Sequence, residues 1–264
     1  MDTSKRLEYC RVERVGRLTI VTLDRPERLN ALPYEADLEL AGIWDDFEHD
    51  KDQWVAILTG SGDKAFCVGN DLKVHAQRGV RQVPESGFGG LMMRFALDKP
   101  VIAAVNGMAI GGGFELCLAC DVIVADETAS FALPEPRVGL TATAGGIQYL
   151  PRAIGLPRAM GILLTGRRVS AREGYELGFV TAIAPRGSAL DEAKQWAHQM
   201  LECSPLALRA TKEAVRRTLF DGEFEATFRG ARDLPASKRL RSSEDFKEGP
   251  RAFAEKRKPN WTNR

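Results

Sequence analysis

The chain has 264 residues, 44% of them apolar and 28% charged, with a formal net charge of +1. That length fits one large domain with a small appendage, and near-neutrality without a Lys/Arg stripe interleaved with aromatics argues against nucleic acid or an anionic membrane as partner. No apolar run approaches the roughly 20 residues that cross a bilayer. The opening MDTSKRLEYCR lacks the apolar core of a secretory signal, and five scattered cysteines make no disulfide framework, so a cytoplasmic chain with reduced thiols is expected.

Arg11 to Val15 and Leu18 to Leu23 read as a hairpin around Gly16. After the polar loop Asp24 to Asn30, apolar residues at helical spacing from Glu35 to Phe47 (Ala36, Leu38, Leu40, Ile43, Trp44, Phe47) predict a helix. Trp54 to Leu58 and Lys64 to Gly69 read as strands, followed by a polar stretch to about Gly90 and a helix ending near Pro100. Val101 to Val105 predicts a strand running into a loop, Asn106 to Ile110, and then a helix from Gly111 to Cys120. Val122 to Ala125 and Ser130 to Ala132 are short strands. From about Ala144 helices take over, with a strand at Val180 to Ala184 and a capping box at Ser170 and Glu173. Ser204 to Leu219, Phe224 to Arg241 and Phe246 to Arg257 form a helical tail expected to pack on the core or on a neighbouring subunit. The pattern is that of an α/β layer architecture, with residues 1–200 as core and 201–264 as a C-terminal helical region.

The chemistry concentrates in NGMAIGGGFELCLACD, Asn106 to Asp121. Glu115 lies on a helix that is apolar nearly all round, so its carboxylate is expected to be buried, which is costly unless the charge is compensated. One reading is a structural ion pair or a bond to a backbone amide. The other follows from the glycines: three in succession weaken a helix start by roughly 1 kcal/mol each and are useful where something must approach the backbone. In FCVGNDLK, Phe66 to Lys73, the residues Asn70 and Asp71 follow Gly69, either as caps of a following helix or as a second amide site that would share an oxyanion with the glycine turn. In LPEPRVG, Leu133 to Gly139, Glu135 stands between two prolines, either as an ordinary exposed side chain or as a carboxylate held on a stiff loop. Cys117 and Cys120 have a C-x-x-C spacing but supply only half of a four-thiolate site. His49, His75 and His198 have no spacing that suggests metal ligation.

Together these segments resemble the crotonase, or enoyl-CoA hydratase/isomerase, superfamily. RPERLNAL (Arg25 to Leu32), FCVGNDLK, KPVIAAVNGMAIGGGFEL (Lys99 to Leu116), ASFALPEPRVGL (Ala129 to Leu140), LTGRRVSAREGYELGFV (Leu164 to Val180) and FAEKRKPNW (Phe253 to Trp261) occur in the family's order and spacing. The resemblance implies a spiral of ββα units with a C-terminal helical region that forms trimers, commonly paired into hexamers. It further implies an acyl-CoA thioester as substrate and no metal or redox cofactor, coenzyme A being part of the substrate. By motif, the amides of Asn70 and Gly112 would form an oxyanion hole, and Glu115 and Glu135 the acid/base pair for hydration or dehydration. Arg28 and Leu29, the stretch Ala65, Phe66, Val68, Gly69, Asn70, Asp71 and Leu72, and Gly111 with Gly112 would line the substrate and its coenzyme A; Phe253 and Lys256 would approach the nucleotide end across a subunit boundary. One departure stands out: Ala142-Thr143 occupies the place where hydratases of the family often have Pro-Gly. The segments Gly87 to Pro100 and Ser242 to Trp261 resemble carnitinyl-CoA dehydratases in particular. A hydroxycinnamoyl-CoA hydratase-lyase would need a phenol-binding group, for which Tyr34, Tyr149 and Tyr175 are available.

Overall fold

In the computed structural model the described residues are 7–71, 83–220 and 224–264. The N-terminal hairpin forms as expected: β1 (Cys10–Val15) and β2 (Leu18–Leu23) pair antiparallel around Gly16, whose φ of +59° suits glycine. β2 then starts a parallel run with β3 (Val55–Gly60), β5 (Val101–Val105), β7 (Val122–Asp126) and β10 (Ala182–Ala184), giving a six-stranded sheet in the order β1-β2-β3-β5-β7-β10. Parallel strands need both faces covered, and side-chain alternation supplies two cores. Ala56, Leu58, Val101, Ala103 and Val105 enter one, together with Leu40, Trp44 and Phe47 of α1 (Tyr34–His49). Val55, Ile57, Ile102 and Ala104 enter the other, under Ala193 and Ala197 of α6 (Ala189–Leu201).

A second sheet has the order β4 (Ala65–Cys67), β6 (Met108–Ile110), β8 (Ser130–Ala132), β9 (Val169–Ser170). β3, β5 and β7 of the large sheet are thus each followed by β4, β6 and β8 of the small one, the same turn made three times. β4, β6 and β8 run parallel, so their carboxyl ends share one edge. Beyond them come α2 (Gly112–Ala119), α3 (Gly146–Ile154), α4 (Leu156–Thr165) and α5 (Ala171–Leu177). Ser170 caps α5 by accepting the Glu173 amide at 3.1 Å, while the Glu173 carboxylate pairs with Arg167 instead of closing a full capping box.

Several expectations are corrected. The segment read as a loop before Gly111 contains β6, whose three residues gain strand character from β4 and β8 on either side. The helix expected before Pro100 is absent: Phe88–Gly90 is a 3-10 turn and the rest is turns. Gly87, Gly89 and Gly90 have φ of +78°, +60° and +63°, and a β-carbon on Gly90 would lie 2.4 Å from the Ala41 amide. The chain is therefore pressed onto α1, where Arg94 donates to the Gly90 and Ala41 carbonyls. Leu38, counted on the apolar face of α1, is exposed. The helix predicted over Phe224 to Arg241 is broken into α8 (Phe224–Gly230), a 3-10 turn at Ala231–Asp233, and α9 (Pro235–Arg241), because Pro235 cannot continue a helix but starts one well.

The tail packs on the core. From α7 (Pro205–Phe220) the Lys212 ammonium donates to the Lys99 carbonyl and pairs with Asp121, both at 2.6 Å, and Arg209 pairs with Asp98 at 2.7 Å. α10 (Glu244–Ala254) is anchored through Asp245, which accepts from Ser204 and from the Thr262 amide, while the Asn263 side chain donates to the Lys51 carbonyl. No helix among the described residues is long and apolar enough to cross a membrane.

Candidate active site

Three motifs singled out in the sequence leave the carboxyl ends of three adjacent strands. β4 leads to Gly69 and Asn70, β6 to Gly111 and α2, and β8 to Glu135. Parallel sheets commonly present binding groups at such an edge. The strands are tied there: the Gly111 amide donates to the Ala132 carbonyl at 2.8 Å, and a β-carbon on Gly69, at φ +85°, would lie 2.8 Å from the Gly112 nitrogen.

The glycines serve this convergence. A β-carbon on Gly113 would lie 2.0 Å from the Cys67 carbonyl oxygen, one on Gly112 2.6 Å from the Phe88 ring, and one on Gly111 3.0 Å from Glu135 Oε1. Gly111, at φ +56°, caps α2, and Gly112 is its first residue, so the Gly112 amide has no partner within the helix. The chain on either side of Asn70 is pinned to Leu32, through Leu32 N–H to Gly69 O at 2.8 Å and Asp71 N–H to Leu32 O at 3.3 Å. Among the described residues neither the Asn70 nor the Gly112 amide donates to a backbone carbonyl.

Glu115 is 3% exposed on α2, surrounded by apolar neighbours. Burial lifts its carboxyl to about 7; the Gly146 amide, donating to Oε1 at 2.9 Å, pulls the other way, the negative charge of Glu135 pushes it further up, and the Ala144 amide lowers it. Among the described residues the carboxylate therefore has amide partners and no cation. Glu135 begins a 3-10 turn, Glu135–Val138, where the sequence suggested a loop that resists helix; Pro136 fits the opening turn of such a helix. Burial raises its carboxyl too, and Oε2 is buried with no hydrogen-bond partner.

The loop at the sequence departure lies against Glu115. Ala142 is buried, and its carbonyl accepts the Ile147 amide at 3.2 Å, so the turn delivers the Gly146 amide to the carboxylate. Gly145 in this turn has φ +114°. Gly146 ends the loop that the sequence departure marks, and Phe88 lies in the stretch before Pro100; the sequence pointed to both segments through the resemblance but singled out neither residue. Beside this loop opens a cavity of about 1010 Å³ whose wall includes Phe88, Met92, Thr143, Gly145 and Tyr149. Tyr149 lies on it; Tyr34 and Tyr175 do not.

Of the expected coenzyme A residues, Arg28 and Leu29 come together with the β4 segment: the Val68 amide donates to the Leu29 carbonyl at 3.2 Å. Leu29 has φ +52° and Arg28 is exposed. Ala65 and Phe66 are buried in β4 and Asp71 beyond it, where Asp71 meets Arg25 at 3.5 Å. Leu72 lies outside the described residues, as does His75. Asn30, buried at φ +54°, joins the two segments through its side-chain amide to Ala65 O at 2.8 Å and Ser61 O at 3.0 Å. It went unnoticed in the sequence, although asparagine tolerates that backbone region. Phe253, 87% exposed, and Lys256 sit at the end of α10, which is anchored to residues near Ser204 and away from these loops. Cys117 and Cys120 donate back to the Gly113 and Leu116 carbonyls of their own helix. No group of three His, Cys, Asp or Glu among the described residues could hold a metal ion.

Comparison with known proteins places this chain in a family. The sequence pattern of enoyl-CoA hydratase/isomerase matches residues 13–264. A carnitinyl-CoA dehydratase of Escherichia coli K12 is 40% identical over 264 aligned residues, covering 97% of this chain and 99% of the relative. Among solved structures, an enoyl-CoA hydratase of Mycobacterium tuberculosis H37Rv superposes with a TM-score of 0.90 at 38% identity, covering 97% of this chain and 99% of that one. One from Mycobacterium marinum reaches a TM-score of 0.91 at 38% identity with the same coverage. The chain belongs to the enoyl-CoA hydratase/isomerase family, with the crotonase fold, and is an enzyme of the hydratase/dehydratase kind.

Proposed function

We propose that the chain hydrates 2-enoyl-CoA thioesters to 3-hydroxyacyl-CoA, or catalyses the reverse dehydration, with Glu115 and Glu135 as acid and base. What supports this reading is that Asn70, Gly112 and Glu135 follow the carboxyl ends of β4, β6 and β8, with Glu115 one turn into α2, that both carboxyl groups are desolvated, and that among the described residues neither amide has a backbone acceptor. Adding water at C3 of an enoyl thioester places negative charge on the thioester oxygen, which the Asn70 and Gly112 amides would bear. Glu115 would take a proton from water as its oxygen bonds to C3, and Glu135 would give one to C2; dehydration runs the same transfers backwards. Coenzyme A would lie along Arg28, Leu29 and the segment from Ala65 to Asp71, as part of the substrate, with Phe253 and Lys256 of a neighbouring subunit at its nucleotide end. The chemistry asks for neither a metal nor a redox group.

The test is hydration of crotonyl-CoA, followed by loss of enoyl-thioester absorbance. Glu115→Gln and Glu135→Gln should each lower kcat by about 10²- to 10⁴-fold with thermal unfolding still cooperative. A folded variant that kept full turnover would remove that residue from the mechanism. A second reading, dehydration of carnitinyl-CoA, is favoured by the 40% identical relatives of that name. A hydratase-lyase reading draws on Tyr149 at the cavity wall, and release of an aromatic aldehyde from feruloyl-CoA would support it.

A further inference from the structure

We infer that the acyl group this site accepts ends in a carboxylate, with Arg152 as the residue that selects it; this rests on the reading of the site as an enoyl-CoA hydratase. The cavity of about 1010 Å³ opens beside the Thr143–Gly145 turn and extends to α7 and α9. Six Lys or Arg side chains line it against three carboxylates, Glu48, Asp98 and Glu213. Several of the cations are already engaged: Arg209 and Arg239 hold Asp98 at 2.7 and 2.5 Å, and Lys212 and Arg216 hold Asp121 at 2.6 and 3.4 Å. Arg152 differs. Its Nη1 donates to the Gln148 carbonyl at 2.8 Å, and among the described residues no carboxylate lies within ion-pair distance of its guanidinium.

Its position suits a substrate tip. α3 begins at Gly146, whose amide holds Glu115, and Arg152 lies six residues on, about 9 Å along the axis. The bond to Gln148 folds the side chain back by a turn, toward the reacting end. The guanidinium lies 5.1 Å over the Phe220 ring, and Phe220 packs edge-on against Tyr149 at 5.5 Å. An aromatic wall thus orients a planar donor whose remaining N–H groups can grip a carboxylate in two-point fashion. The same wall is unsuited to a quaternary ammonium, which binds aromatic faces backed by negative charge. Here the face of Phe220 is already covered by a guanidinium and the lining is cationic on balance.

The experiment compares kcat/KM for hydration by the full-length enzyme of glutaconyl-CoA, whose acyl chain ends in a carboxylate, crotonyl-CoA, which is uncharged, and the enoyl thioester that carnitinyl-CoA gives on loss of water, which carries a trimethylammonium group. Glutaconyl-CoA is expected to exceed the other two by about tenfold or more, and Arg152→Gln should collapse its advantage over crotonyl-CoA by a similar factor, chiefly through KM. Arg152→Lys should restore part of that ratio, and the exposed control Arg172→Gln should leave it unaltered. Equal or better hydration of crotonyl-CoA or of the trimethylammonium-bearing enoyl thioester, or an Arg152→Gln variant that loses its activities on glutaconyl- and crotonyl-CoA in proportion, would overturn the assignment while leaving the hydratase reading intact. No turnover of any enoyl thioester would remove the hydratase reading itself, and this assignment with it.

Discussion

A buried carboxyl group that meets amides instead of a cation is destabilised as an anion, and among the described residues Glu115 is such a group: burial lifts it to about 7. Glu135 is raised as well, by burial, and its negative charge adds to the rise at Glu115, so the protonation of one bears on the other. Either direction of the proposed reaction needs one proton on the pair. Dehydration uses it on Glu115, and hydration uses it on Glu135, a minor arrangement of the same singly protonated state. The last proton leaves near neutrality, so kcat/KM, which follows the free enzyme, should fall as pH rises through about 7, approaching tenfold per unit beyond it, for hydration and dehydration alike. A pH profile of kcat/KM measured in both directions tests this. A rate that climbs through that range would mean that the fully ionised pair is the active form.

Elements as short as β4, β6 and β8 have little stability of their own; they are held by one another and by the glycine backbone between them. Gly113 is the tightest joint, since a β-carbon there would lie 2.0 Å from the Cys67 carbonyl, a backbone atom that cannot swing aside. Gly113→Ala should therefore lower stability by about 3 kcal/mol or more, the size of effect seen for severe overpacking, and denaturant unfolding will measure it. Gly161→Ala on α4, where nothing lies within 4 Å of the added carbon, should be neutral or mildly stabilising in the same assay. The glycines read in the sequence as a possible ligand approach thus serve also to let strand β4, α2 and the Glu135 turn meet. The sequence could not separate the two uses, because both ask for the same missing β-carbon.

Apolar residues left exposed on the single chain mark where the assembly would form. Leu156, Met160 and Leu164 recur at every fourth position of α4 and are 63%, 39% and 68% exposed, and Val138 and Leu140 beside the Glu135 turn are exposed with them. Such a stripe favours burial against another copy. Light scattering should therefore give a mass of three or six chains, and Leu164→Asp should shift it downward. That assembly would also give Phe253 and Lys256 a role, since within one chain α10 is anchored away from the loops around Asn70 and Gly112.

Local pattern and residue identity determined much by themselves. The hairpin, α1, β5, α2, β7 and β8 were legible because period-two and period-3.6 apolar patterns are properties of the chain alone. Glu115 and the glycine run stood out because a carboxylate in an apolar helix and three glycines at its start are locally unfavourable, and Glu135 because two prolines flank it. Tertiary structure decided the rest. β6 and β9 exist only through their neighbours, Pro235 divides a helix whose apolar pattern runs on, and left-handed glycines packed on α1 replace the helix expected before Pro100. The amide that holds Glu115, the partnerless Oε2 of Glu135 and the guanidinium of Arg152 at the cavity wall arise from segments brought together across the chain, and no sequence window contains a distance.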